Sequence, residues 1–249
     1  MTNTLTNDNY WDSINDAYEL TDAGPSDRVR IWLESLVKEH HIQAGRSFEI
    51  GCYPGQYQPV LGGCGFELNG LDIAEGVEGK LVEWLIAHKC QVGKFCRHRF
   101  EDFVTSDKYD LVCSFGFVEH FRNWEEILVK HVGLIAPSGW LIVATPNFRG
   151  LVQRLLHAYL DRNNMMRHNL AAMNTRQWAR IVERAGLSVK FSGCFGGFDF
   201  WADPVDLSFV QKKVLNGVAS VLPVARKIKR SSCLFSPYCG LVARREDRV

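Results

Sequence analysis

Between residues 45 and 147 short apolar runs alternate with stretches of helical periodicity, and this alternation narrows the possible folds to very few. Ser47–Ile50, Phe66–Leu71, Phe95–His98, Tyr109–Ser114 and Trp140–Thr145 are strand-sized, and Pro146 stops the last of them. Val77–His88 and Trp124–Val132 read as helices, and Ala136 to Gly139 reads as a turn. Tyr109–Ser114 (YDLVCS) is the clearest strand, and its apolar run fits burial on both faces. Such strands joined through helices build a mostly parallel sheet with helices on both sides, an α/β fold.

The flanks extend this core. Residues 28–38 put Val29, Trp32, Leu33, Leu36 and Val37 on one helical face. Residues 148–174 are rich in Arg, Asn, His and Met and show no strand alternation. A helix follows over Thr175–Ala185, capped by Thr175 or Asn174 and stopped by Gly186. Leu187–Cys194 reads as a strand, Gly193 to Trp201 as an aromatic, glycine-rich loop, and Tyr238–Ala243 as the last strand. A helix is expected over Pro204–Lys229, interrupted at Pro223. The 249 residues, 46% hydrophobic and 23% charged, suit one domain with one large core. Its parts would be an N-terminal helical segment (1–44), a ligand-binding core (45–147), a substrate-side segment (148–186), and C-terminal strands with a basic helix (187–249).

Bulk properties exclude several classes. A net charge of +1 provides no field for nucleic acid. Met1 to Asn9 is polar, without the apolar stretch of a secretory signal, and no apolar run approaches the length of a membrane span. The eight cysteines contain no C-x-x-C pair, and several fall inside strands; they read as reduced structural thiols in a cytoplasmic protein. Lys212, Lys213, Arg226, Lys227, Lys229 and Arg230 have Asp206 as their only nearby carboxylate in sequence. They form either a solvated face or a peripheral contact with a membrane or polyanion.

The chemistry concentrates at the first strand-to-helix turn, Phe48-Glu49-Ile50-Gly51-Cys52-Tyr53-Pro54-Gly55-Gln56. Glycines there allow a sharp turn and close approach of a ligand to the backbone. Twenty-one residues beyond Gly51, Asp72 ends the second strand, where a carboxylate can accept hydrogen bonds from both hydroxyls of a ribose. A dinucleotide fingerprint begun at Gly51 would need glycine at 53 and 56, where Tyr53 and Gln56 stand. Pro54 also removes a backbone N–H from any pyrophosphate cradle. A ligand without phosphates suits the loop better, with Glu49 able to face an ammonium group.

Glu49-x-Gly51-x-x-x-Gly55 followed by Gly70-Leu-Asp72-Ile resembles the first two motifs of class I S-adenosylmethionine (SAM)-dependent methyltransferases, the type 23 group among them. Tyr109 through Glu119-His120-Phe, and Leu134 through Gly139 to Pro146-Asn147, resemble the later motifs in the same order. The resemblance covers about residues 45–147 and, more weakly, 168–198. It implies a Rossmann-like seven-stranded sheet whose last strand is antiparallel, built with Leu187–Cys194 and Tyr238–Ala243. It further implies SAM as cofactor. Glu49, Gly51, Cys52, Tyr53 and Gly55 would lie along the methionine side, Asp72 and Ile73 along ribose and adenine, and Ser114, Phe115 and Gly116 over the sulfonium. The family's acidic adenine contact falls on Arg99 here, which leaves Glu101 or Asp102 to substitute, or a backbone contact at Phe100.

On the acceptor side, His120 and His168 are candidate general bases, and Glu119, Asn147 and Asn169 candidate substrate contacts. The Glu119-His120 and Pro146-Asn147 segments resemble ubiquinone-type O-methyltransferases and small-RNA 2′-O-methyltransferases, and the stretch through His168 resembles methyltransferases of surface-polysaccharide synthesis. The expected function is therefore O-methylation of a small molecule or of a glycan sugar. The RNA enzymes bind a metal through a Glu-x-x-Glu-His run and a later histidine; Gly116 replaces the first glutamate here and leaves Glu119, His120 and His168 as the remaining ligands, so a metal-assisted RNA 2′-O-methyltransferase is an alternative and no metal is expected. A SAM-binding partner or regulatory protein without chemistry is the rival from another class.

Overall fold

The apolar runs pair into one seven-stranded sheet of order β3-β2-β1-β4-β5-β7-β6. The computed structural model describes residues 4–6, 10–11, 19–202 and 207–246. The strands are β1 (Arg46–Ile50), β2 (Glu67–Asp72), β3 (Gln91–Arg97), β4 (Tyr109–Phe115), β5 (Ile135–Pro146), β6 (Leu187–Phe195) and β7 (Tyr238–Arg245). β1 to β5 pair in parallel, and β7 is antiparallel to both β5 and β6. This is the expected Rossmann-like arrangement.

Along β4 and β5 successive side chains leave opposite faces of the sheet. Val112, Leu141 and Val143 enter one core with Leu128, Trp178 and Leu241. Leu111, Cys113, Ile142 and Ala144 enter the other with Trp32, Leu33, Leu61 and Leu85. Burial on both faces explains the unbroken apolar composition of these strands. The helices bring matching stripes. In α1 (Arg28–Glu39), Val29, Trp32, Leu33 and Leu36 are buried, and the Asp27 side chain accepts the Arg30 N–H to cap the first turn. α2 (Gln58–Gly63), α3 (Lys80–Ala87) and α4 (Trp124–Gly133) link the parallel strands. In α7 (Thr175–Arg184) the Asn174 side chain caps the start, and Gly186 in the left-handed region ends the segment.

Three sequence expectations need correction. β3 starts at Gln91, because on this edge strand only Phe95 is buried and only its end carries an apolar signal. The expected turn at Ala136 to Gly139 lies inside β5: pairing jumps from Tyr109↔Ile135 to Leu111↔Trp140, with Ser138 at φ 58° between them. Residues 148–174 hold α5 (Leu151–Leu160) and α6 (Arg162–Met166). The basic helix, α8, runs Phe209–Ala225 and keeps Pro223 in its last turn; the expected start at Pro204, and Asp206, lie outside the described residues. The cysteines are also not all free thiols: Cys194 and Cys233 form a disulfide joining the end of β6 to the segment before β7.

Candidate active site

The strand order reverses between β1 and β4, and open α/β sheets bind ligands at the carboxyl ends beside such a reversal. Gly51, the first residue past β1, has φ 72°, which costs other residues a clash between Cβ and carbonyl. Its N–H and that of Cys52 donate to the Leu71 carbonyl at 2.9 and 3.2 Å, folding the loop onto the end of β2. Asp72 secures it there. Oδ2 accepts the Tyr53 N–H at 3.0 Å, and Oδ1 accepts the Ala74 N–H at 2.9 Å. Burial raises the Asp72 carboxyl above its usual range, and the amides of Tyr53, Ala74 and Ile73 pull it partly back. Each oxygen keeps a second lone-pair direction for a hydroxyl donor.

A cleft of about 750 Å³, counted with its open mouth, lies along this loop. Of the twelve cofactor-side residues expected from the sequence, Gly51, Tyr53, Asp72, Ile73, Phe100, Glu101, Phe115 and Gly116 line it. The other four lie behind the wall. Cys52 packs its sulfur over Gly70, where any Cβ would lie 2.7 Å away. Gly55, at φ 86°, turns the chain against Leu81. The Ser114 hydroxyl donates to Nε2 of buried His131 at 3.1 Å, since Nδ1 of that ring donates to the Ile127 carbonyl. Glu49 is buried beneath the loop with Oε2 unpartnered, and burial, then the charge of Asp72, hold its carboxyl well above the usual range. An unpartnered buried carboxylate oxygen suits a cationic partner such as an ammonium.

Thr4, Trp11, His98, Arg99, Phe117 and Phe121 also line the cleft. Arg99 is the departure at the adenine position; the others are unforeseen. Phe117 stands over Gly51, where a Cβ would lie 2.5 Å from its ring. Its only signal in the sequence is its place beside Gly116. Trp11 has no signal at all, because only tertiary contact brings it to His120 (ring centroids 4.9 Å apart).

The acceptor-side candidates divide. A 3-10 turn, Val118–His120, follows β4 and buries Glu119 and His120. His120 Nδ1 donates to the Arg167 carbonyl (3.2 Å), and His168 Nδ1 donates to the Asn164 carbonyl (2.7 Å). A carbonyl only accepts, so both rings carry the proton on Nδ1 and the lone pair on Nε2. The two rings are 4.7 Å apart. Burial lowers His120 to about 3 and His168 to about 4, and raises Glu119 to about 8. Asn169 works as a clamp: its N–H donates to the Glu119 carbonyl, its Nδ2 to the Phe121 carbonyl, and its Oδ1 accepts the Ala171 N–H. It fixes the segment carrying His168 onto the turn carrying His120.

Asn147 is likewise committed. Its Nδ2 donates to the Ser236 and Cys233 carbonyls (2.9 and 3.2 Å), and its Oδ1 accepts the Gly150 N–H. Asn147→Ala leaves these groups unpartnered in a buried setting, worth about 1–3 kcal/mol. Chemical denaturation should show that loss, with ligand binding in the cleft little changed; full stability would contradict the role.

A second cavity on the same carboxyl side of the sheet is lined by Asp27, Arg28, Asp199, Trp201, Arg226 and Tyr238. Asp199 receives Arg28 (3.3 Å) and Arg226 (2.9 Å), so Arg226 is not one of the unpaired cations expected from the sequence. Trp201, Phe148, His168 and His120 form a row of rings with successive centroids 5.9, 4.9 and 4.7 Å apart. The row connects the second cavity with the cleft.

Residues 27–190 match the family pattern described as a methyltransferase domain. The ubiquinone biosynthesis O-methyltransferase of Bordetella avium is 24% identical over 121 residues, 47% of this chain. That stretch spans 48%, about half, of the relative's own length. A solved SAM-dependent methyltransferase from Archaeoglobus fulgidus superposes with TM-score 0.54 at 20% identity, covering 87% of this chain and 94% of its own. A Bradyrhizobium japonicum N-methyltransferase in complex with S-adenosyl-L-homocysteine superposes with TM-score 0.52 at 14% identity, covering 97% and 94%. At these identities the structural likeness carries the fold alone.

Proposed function

The chain belongs to the SAM-dependent methyltransferases, and we propose that its cleft holds SAM and transfers the donor's methyl group to a hydroxyl of a small molecule or glycan sugar. The observation that carries the donor assignment is Asp72. Its carboxylate ties the loop after β1 to the turn after β2, and it lines the cleft with lone pairs left for two ribose hydroxyls. The unpartnered Glu49 oxygen suits the donor's ammonium, directly or through water. Phe100, Glu101 and Ile73 form the wall for the base. The residues present therefore fit the group.

Bound SAM supplies a methyl already activated on a sulfonium. The protein's share is alignment, exclusion of water, and removal of the acceptor's proton. We assign alignment and proton handling to His120 and His168, whose Nδ1 atoms donate to backbone carbonyls and leave Nε2 as the accepting nitrogen. Glu119 closes the pocket behind them, fully buried. Asn147 and Asn169 act from outside it, by holding the walls. Transfer breaks the sulfur–methyl bond, forms an oxygen–methyl bond, and leaves S-adenosylhomocysteine (SAH).

The acceptor reading draws on the second cavity and the ring row that leads from it. An indole face packs against the C–H face of a sugar, and Asp199 with its two arginines offers hydrogen bonds to hydroxyls. A sugar of a surface glycan fits that combination. Fractionated glycan and small-molecule extracts, incubated with methyl-labelled SAM, test it: one fraction should gain an acid-stable methyl ether with an equal yield of SAH. Label appearing only on nitrogen or carbon would contradict O-methylation.

We also assign peripheral contact with an anionic membrane surface to α8. The helix has no buried residue, and Phe209, Val210, Val221 and Val224 are 59–72% exposed beside Lys212, Lys213, Lys227 and Lys229. Exposed apolar groups flanked by cations are what an anionic lipid interface takes up. No helix among the described residues is long and apolar enough to cross a membrane. Each basic residue near such a surface contributes about 1 kcal/mol. Lys227→Gln with Lys229→Gln should therefore weaken co-sedimentation with phosphatidylglycerol vesicles by roughly thirty-fold; unchanged partitioning would remove the assignment. The proposed compartment is the cytoplasm, consistent with six free thiols beside the single disulfide.

A further inference from the structure

We propose that Glu119, His120 and His168 form a divalent-metal site at the inner end of the cleft. It deepens the acceptor half of the reading above, and rests on that reading only for what the ion would act upon. One ligand atom from each residue lies within 4.8 Å of the other two. Donors bound 2.0–2.2 Å from a common centre stand roughly 3–3.6 Å apart, so the three side chains would draw in by about 1 Å around an ion. The side chains come from two separated stretches of chain, and their convergence is built: Asn169 pins one stretch to the other through the Glu119 and Phe121 carbonyls.

Both histidines are held in the orientation a cation requires. Both imidazoles give their Nδ1 proton to a backbone carbonyl, which fixes the ring and leaves Nε2 as a lone pair. Metal-bound histidines are oriented by such outer hydrogen bonds. Glu119 is 0% exposed and neither carboxylate oxygen has a partner. A carboxylate buried without hydrogen bonds is costly, and a divalent ion would satisfy both oxygens. Trp11 and Phe148 pack on the two histidine rings, and the Arg167 guanidinium, whose charge both rings feel, stacks on Tyr10.

Two imidazoles and one carboxylate suit zinc, iron(II), cobalt(II) or manganese(II) rather than calcium. Three protein ligands leave coordination positions open, and His120 lines the cleft, so those positions would face the acceptor. An acceptor hydroxyl bound to the ion would release its proton to water more readily and present its oxygen to the donor methyl.

Cobalt(II) titration of the full-length, chelator-treated protein, followed by visible absorption, tests the site. One equivalent should bind with the bands of a nitrogen- and oxygen-ligated ion, and zinc should displace it. Glu119→Gln and His168→Gln should each weaken binding by roughly 100-fold or more. Either substitution suffices if the other prevents folding. Thiol binding elsewhere would show sulfur-to-metal absorption and would survive both substitutions. No binding at millimolar cobalt, or equal binding by wild type and both variants, would overturn the proposal. SAH titration of the same samples separates the two readings: SAH binding without cobalt binding sinks the metal site alone, and cobalt binding without SAH binding sinks the donor site alone.

Discussion

Asp72→Asn should lower affinity for SAH by roughly 100-fold, about 2.7 kcal/mol, in calorimetric titration. The substitution keeps the shape of the side chain. It replaces a carboxylate that accepts on both oxygens with an amide that accepts on one. In the wild type the carboxylate already holds the Tyr53 and Ala74 amides, so the variant must turn its NH2 group either towards one of these donors or towards a ribose hydroxyl. Either choice sets donor against donor. Two charge-assisted hydrogen bonds to the ligand are lost or inverted, each worth about 1.5–3 kcal/mol. Secondary structure should stay intact by circular dichroism, since β2 pairs along its whole length with β1 and β3. SAH affinity within threefold of wild type would remove Asp72 from the donor site.

His120→Ala and His168→Ala should each reduce kcat on the true acceptor by about 100- to 10,000-fold, the range for removing a proton-handling group. SAH affinity should change by less than about fivefold, because the two rings hydrogen-bond to the Arg167 and Asn164 carbonyls and not to Asp72 or the loop it holds. A loss confined to kcat is the signature of groups that act in the transition state. The two effects should also be far from additive: the rings are neighbours at 4.7 Å and serve one acceptor. If His168→Ala binds SAH normally and turns over at the full rate, His168 has no part in the chemistry. A wild-type protein that binds SAM tightly and transfers its methyl to no fraction would instead be a SAM-binding partner protein.

The two halves of the proposed site are unequally legible in the sequence. The donor half is built from backbone turns and strand ends, so residue type and spacing report it: Gly51 is glycine because φ is 72°, and Asp72 sits where β2 stops. Even there, spacing does not say which way a side chain faces. Cys52, in the loop after β1, and Ser114, near the end of β4, turn into the core, one towards Gly70 and the other towards His131. The central strands were easy because both faces are buried, whereas β3, on the edge, showed only its one buried residue.

The acceptor half depends on contacts between distant stretches. Nothing local in the sequence sets Trp11 against His120, or His168 beside a turn 48 residues earlier. Asn147 and Asn169 looked like substrate contacts, because a polar side chain near an active site reads the same whether it meets a ligand or a carbonyl; their hydrogen bonds show the second. The disulfide was hidden for the same reason, since Cys194 and Cys233 are 39 residues apart with no pairing motif.

A crystal structure of the protein with SAH bound tests the central claim most directly. The expected result places both ribose hydroxyls on the Asp72 carboxylate, the amino group on the Glu49 side of the loop, and the sulfur on the side of the cleft that His120 lines. SAH bound elsewhere, or lying in the cleft with its ribose away from Asp72, would contradict the account.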